Sequence, residues 1–255
     1  MEEFKRKEKV KLNPAVLIRS PRDIQFILDA WAKVDFIDRV WFKYFNGLEV
    51  IEEINKFVRE HPEYTHFLLI ADDAEPTVEG CKQLIKDMEE YDFPVISGVT
   101  NSCNMYDTKD RICTWCKNKE EHPHLNITPI QASYQEDKDG NLIKKSVQWH
   151  HSYMNNEWRK THQGIYKIWM QGLGLAAVRR DILLKVPLRE IHLIDNGRII
   201  RNGSDDFGFA IDCTKRGVPQ YADTRVFMRH YGLYHNQLLV GKKPKQIIIE
   251  KAKTI

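Results

Sequence analysis

The chain has 255 residues, 42% of them hydrophobic and 29% charged, enough for one ample α/β domain with its own core. A formal net charge of +3, with Lys and Arg spread among nearly as many acids, does not point to nucleic acid. No apolar run reaches the ~20 residues of a membrane span. The charged start MEEFKRKEKVKL is not a secretory signal, and five irregularly spaced cysteines make no disulfide framework. A reducing cytoplasm is the expected setting, which makes the sequons at Asn126 and Asn202 chance matches.

Residues 15–20 (AVLIRS) form a short apolar run ending at Pro21, the pattern of a buried strand. Residues 22–34 carry Ile24, Ile27, Leu28 and Trp31 at helical spacing. Residues 40–45 read as a second strand, and residues 50–60 as a helix through Ile51, Ile54 and Val58, closed by Pro62. HFLLIA at 66–71 is a third buried strand running into the acidic turn DDAEP. A helix over 77–90 sets Cys81, Leu84, Ile85 and Met88 on one face, and 94–99 is a fourth strand. Such alternation predicts a mostly parallel sheet with helices on its faces and ligands beyond the carboxyl ends of its strands. Ser20, with Arg19 before it, and Asp72–Asp73 fall at such ends.

The middle, 100–167, is less regular, with a turn at 139–141 expected to join the two strands of a hairpin. Cys113, Cys116, His122 and His124 are read either as reduced loop cysteines with surface histidines or as a zinc site. Trp149, His150, His151, Tyr153, Trp158 and Trp169 either line an acceptor cleft or supply the core of the second half. Regular signals resume with an apolar, glycine-punctuated stretch at 172–178 and a short helix at 180–186. A helix at 204–216 follows, with Phe207, Ala210 and Ile211 inward and Gly217 as its stop, and then a strand at 220–230. The basic ends, Lys5 to Lys11 and Lys242, Lys243, Lys245, Lys251 and Lys253, are read as solvated. Weak peripheral attraction to an anionic inner-membrane face is the alternative.

Mg²⁺ and Mn²⁺ want hard oxygen ligands, usually one or two carboxylates plus a diphosphate. Asp72 and Asp73, with Glu75 nearby, are the minimum equipment for such a site. The plain alternative is that Asp73 caps the following helix, with Pro76 in its first turn. A second pair, Asp205 and Asp206, either suits the start of a helix electrostatically or offers a general base to an acceptor hydroxyl. His230 ends the last strand and is either structural or a metal ligand; imidazole joins carboxylates on Mn²⁺ more readily than on Mg²⁺.

Residues 66–80, HFLLIADDAEPTVEG, resemble the metal-binding turn of GT-A glycosyltransferases, where an apolar strand runs into Asp-x-Asp, a small residue and often a proline. Aligned on Pro76, the last Asp falls on Asp73 and the middle position on Asp72. The first falls on Ala71, a departure from the strict pattern. Residues 202–217, NGSDDFGFAIDCTKRG, resemble the Glu-Asp-(x)-aromatic helix of inverting members, with Asp206 in the base position and Asp205 in the Glu position. Residues 171–183, QGLGLAAVRRDIL, resemble the family's glycine-and-small-residue stretch followed by paired Arg. His230 matches the late His that completes the metal or diphosphate site in several metal-dependent families.

The resemblance implies a single GT-A domain, with a Rossmann-like, mostly parallel sheet flanked by helices and a smaller mixed or antiparallel second half. Residues 14–100 would be the nucleotide-binding half, 101–232 the acceptor and catalytic half, and 233–255 a C-terminal extension. It implies sugar transfer from a UDP- or GDP-sugar to an acceptor hydroxyl on a glycan, lipid-linked molecule or protein. Asp206 would be the base of an inverting reaction, with Asp205 beside it. Asp73 and His230 would hold Mn²⁺ or Mg²⁺, and Arg19, Ser20, Asp72, Gly172 and Gly174 would line the donor. Two alternatives stand beside this one. A sugar-phosphate nucleotidyltransferase would carry a glycine-rich loop after the first strand, whereas RSPRD here has no glycine. A non-catalytic nucleotide-sugar-binding relative would explain Ala71 as decay.

Overall fold

The computed structural model describes residues 11–20, 23–45, 47–71, 73–100, 125, 127–128, 130–148, 156–201, 205–231 and 243–253. Asp72, the Cys113, Cys116, His122 and His124 set, Trp149, His150, His151 and Tyr153 lie outside them, as do both sequons. In chain order the elements are β1 (Pro14–Ser20), α1 (Gln25–Ala32), β2 (Asp38–Lys43), α2 (Gly47–Glu60), β3 (His66–Ala71), β4 (Ala74–Glu75), α3 (Val78–Tyr91) and β5 (Val95–Thr100). The second half holds β6 (Ile127–Thr128), β7 (Leu142–Ile143), α4 (Asn156–Thr161), β8 (Ile165–Ile168), β9 (Met170–Gln171), β10 (Leu175–Arg179) and α5 (Arg180–Lys185). It closes with β11 (Leu193–Asp195), β12 (Arg198–Arg201), α6 (Asp205–Lys215), β13 (Gln220–His230) and β14 (Gln246–Glu250).

The near-continuous apolar runs of β1, β3 and β5 bury both faces, so these strands can only be interior. They sit in a nine-stranded sheet of order β14-β2-β1-β3-β10-β5-β13-β4, with β8 also on β13. β1, β2, β3, β5 and β13 run one way; β10 runs backwards between β3 and β5. The fold is therefore the expected α/β class, with a mixed sheet whose main strands β1, β2, β3, β5 and β13 are parallel. Alternate strand residues feed two cores. Leu17, Phe42, Phe67 and Leu69 pack with α2, α5 and α6 on one face. Ile18, Trp41, Leu68 and Ile70 pack with α1 and α3 on the other. Because α1 and α2 lie on opposite faces, the strand order reverses across β1, leaving a crevice between the carboxyl ends of β1 and β3.

Several local readings shift. The first helix spans Gln25–Ala32, shorter than 22–34: Ile24 stands in extended backbone at its N-cap with no side-chain cap, and Lys33 closes it. β2 begins and ends two residues early, stopped by Tyr44 in the left-handed region at φ 63°. The predicted hairpin at 139–141 is a turn but hardly a ladder. The Asp137 carboxylate accepts the amides of Asp139 and Asn141, both at 2.9 Å, and the flanks meet only in isolated bridges. β7 pairs instead with β11, in parallel. Trp169 is core: it packs edge-on against Phe207 and donates its indole N–H to Thr214 Oγ1 at 3.0 Å.

β14 is an element the sequence reading missed. It adds antiparallel to β2, and the lysines around it are fasteners. Lys243 bonds Asp23 at 3.0 Å, Lys245 bonds Glu49 at 2.6 Å, Lys251 bonds Asp38 at 2.8 Å and Lys253 bonds Asp35 at 2.9 Å. Each such exposed pair contributes about 0–1 kcal/mol. Among the described residues no helix is long and apolar enough to cross a membrane.

β13 is irregular against β5. Its partners jump from Ala222↔Ser97 to Phe227↔Val99, so the chain bulges over residues 223–226. Gly98 permits this: a β-carbon there would stand 2.6 Å from Val226 Cγ1 and closer still to Leu175 Cδ2. Thr224 Oγ1 holds the bulge by donating to the His162 carbonyl at 2.6 Å and accepting from the Gly164 amide at 3.0 Å. Asp223 accepts from Arg225, whose Nη2 also reaches Asp87 Oδ1 on α3 at 3.2 Å. Asp87 is 1% exposed, and burial, reinforced by Asp223, pushes its carboxyl well above the usual carboxylate range against the bonds from Gln83 and Arg225. The folded chain thus holds this proton more tightly than the unfolded chain. The stability it contributes is present at acid pH and is lost as pH rises through the raised value. The urea midpoint should fall between about pH 5 and about pH 8, and Asp87→Asn should flatten that slope; an unchanged slope would place the titration elsewhere.

Candidate functional site

The carboxyl rim of the sheet collects side chains from distant parts of the sequence. β1 ends in Arg19 and Ser20. Ser20 is buried and its carbonyl accepts the Tyr44 amide at 2.9 Å, which fixes the end of β2 beside it. Asp23, just past β1, is held by Tyr44, Lys243 and Lys43. Burial alone would raise its pKa, but these hydrogen bonds win and lower it to about 2.

β3 ends at Ala71, and Asp73 follows. Asp73 does not cap α3. Thr77 holds the cap position, with Oγ1 accepting the Gly80 amide at 3.1 Å, and the short β4 stands between Asp73 and the helix. β4 pairs antiparallel with the end of β13, matching Ala74 with His230 and Glu75 with Arg229. That pairing brings His230 Nε2 to 3.1 Å from Asp73 Oδ1, while the Tyr231 amide donates to the Asp73 carbonyl at 2.9 Å. Tyr231 Oη donates to Glu75 Oε2 at 2.5 Å, and its ring meets Phe26 edge-on at 5.0 Å. Burial, then the Glu75 carboxylate, raises the Tyr231 pKa.

The turn through Gly172 and Gly174 joins β9 to β10 and enters the sheet at the same rim. Leu175 pairs with Ile70, next to the end of β3, and Gly174 lies beside Thr100 at the end of β5. α6 begins with Asp205 and Asp206 in its first turn, where negative charge suits the helix dipole. Asp205 reaches across to β1: its Oδ2 lies 2.5 Å from Arg19 Nη1, both side chains being less than a fifth exposed. The pairing is electrostatic rather than a directed hydrogen bond, for Arg19 Nε and Asp205 Oδ2 are buried without hydrogen-bond partners. Asp206 Oδ1 accepts the Phe207 amide at 2.8 Å.

The predicted residues thus form two contacts. Arg19–Asp205 ties β1 to α6, and Asp73–His230 ties the turn after β3 to β13. Gly172 and Gly174 share the rim, and Asp72 lies outside the described residues. Among the described residues no group of three His, Cys, Asp or Glu side chains is placed to hold a metal ion. Three features of the rim escaped the sequence reading: the Glu75–Tyr231 bond, the Asp23–Tyr44–Lys243 cluster, and the buried Gln171. The last carried a signal, a lone amide within the apolar run WMQGLGL.

No family model matches the chain, and no curated protein matches it. Among solved structures, A197 from STIV is similar at a TM-score of 0.45 and 17% identity, over 83% of this chain and 81% of A197. GalNAc-T7, determined with UDP, GalNAc and Mn²⁺, is similar at a TM-score of 0.49 and 12% identity, over 88% of this chain. The match covers 44% of GalNAc-T7, so this chain spans less than half of that protein. At such scores the likeness carries no chemistry from either protein to this chain.

The Arg19–Asp205 contact has a measurable energy. Arg19→Met and Asp205→Asn should each destabilise, because each strands a partly buried opposite charge. In urea unfolding the double variant should lose less than the sum, with a coupling of about 0.5–3 kcal/mol. Strict additivity would mean that the pair contributes nothing.

Proposed function

We propose that the protein is a metal-dependent glycosyltransferase that moves a sugar from a nucleoside diphosphate sugar to an acceptor hydroxyl. The observation that carries this reading is the contact of the Asp73 carboxylate with the His230 imidazole at 3.1 Å, on the carboxyl rim beside the crevice between β1 and β3. These two side chains come from far apart in the chain and from positions that the GT-A resemblance marks independently.

The donor set fits a divalent ion of the Mn²⁺ or Mg²⁺ kind: one carboxylate oxygen and one imidazole nitrogen converge, and a diphosphate would complete the ligands. Such an ion would neutralise diphosphate charge as the nucleotide leaves. The rest falls to the chain's own residues. Ser20 and Arg19 border the nucleotide, with Gly172 and Gly174 leaving backbone alone beside the donor. Arg19 takes up the charge of Asp205, which gives the adjacent acids different tasks. Asp205 fastens α6 to β1, and Asp206, oriented by the Phe207 amide, accepts the acceptor's hydroxyl proton. The hydroxyl oxygen attacks the anomeric carbon, its bond to the diphosphate breaks, and the configuration inverts. The acceptor is a glycan, lipid-linked molecule or protein, and the setting proposed is the cytoplasm.

Incubation with UDP-, GDP- and dTDP-sugars, Mn²⁺ and varied acceptors, followed by nucleotide release, tests this. Release with at least one donor is expected, and none with any donor sinks the proposal. Asp73→Asn should abolish metal dependence. Asp206→Asn should slow transfer by about 10²–10⁴-fold while sparing donor affinity. Unchanged turnover in the Asp206 variant would move the base elsewhere.

A further inference from the structure

β14 ends the nine-stranded sheet on one side, and no described strand lies beyond it. Its ladder to β2 runs unbroken over five residues, from Gln246↔Lys43 to Glu250↔Arg39. A strand paired on one side alone keeps a row of backbone N–H and C=O groups along the other, open to a further strand. The far end of the sheet is β4, whose two residues are too short to offer such a row. Edges are commonly blunted by brevity, a proline, a bulge or a charge inside the strand. QIIIE has none of these between its polar ends. The flanking Lys245 and Lys251 turn back to Glu49 and Asp38 of their own subunit, at 2.6 and 2.8 Å.

The register to β2 places the side chains. Ile249 pairs with Val40 and Ile247 with Phe42, both wholly buried in the core that includes α2. On the opposite face Ile248 pairs with Trp41 and packs against the core of α1 and α3. The α2-side core thus continues onto β14, where Ile247 and Ile249 remain 40% and 39% exposed. A strand added beside them would cover that apolar area.

We propose that β14 pairs antiparallel with β14 of a second copy of this chain, about a two-fold axis through Ile248, joining the two sheets into one. The strand is self-complementary in that register. Ile248 faces Ile248, Ile247 faces Ile249 of the second copy, and the Gln246 amide faces the Glu250 carboxylate as donor to acceptor. Centring the axis one residue earlier would set Ile249 against Lys245, and one later would set Ile247 against Lys251. Lys245 and Lys251 fall opposite each other on the outermost rungs, each with its own carboxylate. The same patch serves on both sides, and with β4 at the far end the assembly closes at two. Five residues a side is about a quarter or less of the roughly 20–30 in a standard interface, so the dimer is weak and its dissociation constant lies in the micromolar range.

Sedimentation velocity on the full chain, from about 1 to about 300 µM, reads this association. The wild type should pass from monomer to dimer with a Kd of about 1–100 µM and go no further. Ile247→Lys combined with Ile249→Lys sets like charges across the axis and should weaken the dimer at least about tenfold. Ile247→Lys combined with Ile249→Glu sets unlike charges there. It should associate at least about threefold more tightly than the double lysine variant, with the gain shrinking as salt is added. Should these variants fail to fold, Ile248→Cys gives the answer. That position faces itself at a spacing that suits a disulfide, so mild oxidation should yield a covalent dimer in excess over the wild type. A wild type that stays monomeric to about 300 µM overturns the proposal and leaves the edge to a strand from another protein. A dimer that both charge variants leave unchanged overturns it too, as does assembly that continues past two. Equal weakening in the two charge variants, or no excess crosslink at Ile248→Cys, overturns the register.

Discussion

The rim depends on one strand running the wrong way. β10 lies antiparallel between β3 and β5, so its beginning, rather than its end, meets the carboxyl ends of its neighbours. A parallel strand in that place would send the Gly172–Gly174 turn to the opposite edge of the sheet. Inserting it requires small side chains where three strands converge. Ala176 and Ala177 supply them on β10, and Gly98 lets Leu175 and Val226 close over β5. The apolar contacts that stabilise the sheet also dictate which segments can reach a ligand.

Charge then joins what the sheet has arranged. Both contacts at the rim cross from the first half of the chain to the second, Arg19 to Asp205 and Asp73 to His230. Both are largely buried, so desolvation opposes the attraction within each pair, and removing one partner would leave the other charge stranded. The pairs at the C-terminal end differ in kind. The lysines around β14 are mostly exposed and individually weak, and their combined effect is to hold the register of an edge strand against β2.

Legibility followed range. β3, α6 and β13 were readable because their patterns are local: an unbroken apolar run, a helical face closed by Gly217, an extended run after it. Strand order, the reversal of β10 and the edge pairing of QIIIE depend on contacts between residues far apart, which periodicity does not register. The same limit applies to the site. Arg19, Asp205, Asp73 and His230 each carry a local signal, but only the β4–β13 ladder and the placing of α6 show who meets whom. Asp87 could have been noticed, since it follows Leu84 by three and precedes Met88 on the apolar face of α3. Buried acids are rare enough that such a position deserved a partner.

The bulge in β13 connects that overlooked acid to the rim. Between the two matched points, β13 advances five residues while β5 advances two, so three residues are taken up in residues 223–226. Spread as regular strand they would carry the end of β13 about 10 Å farther along the sheet. An odd number also exchanges the faces toward which later side chains point. His230 would then pass Ala74 and lose Asp73. The Asp87–Asp223–Arg225 contacts, Thr224's bonds to Gly164 and His162, and the missing β-carbon at Gly98 keep the bulge at its length. A network on α3 and the middle of β13 therefore sets where the imidazole stands.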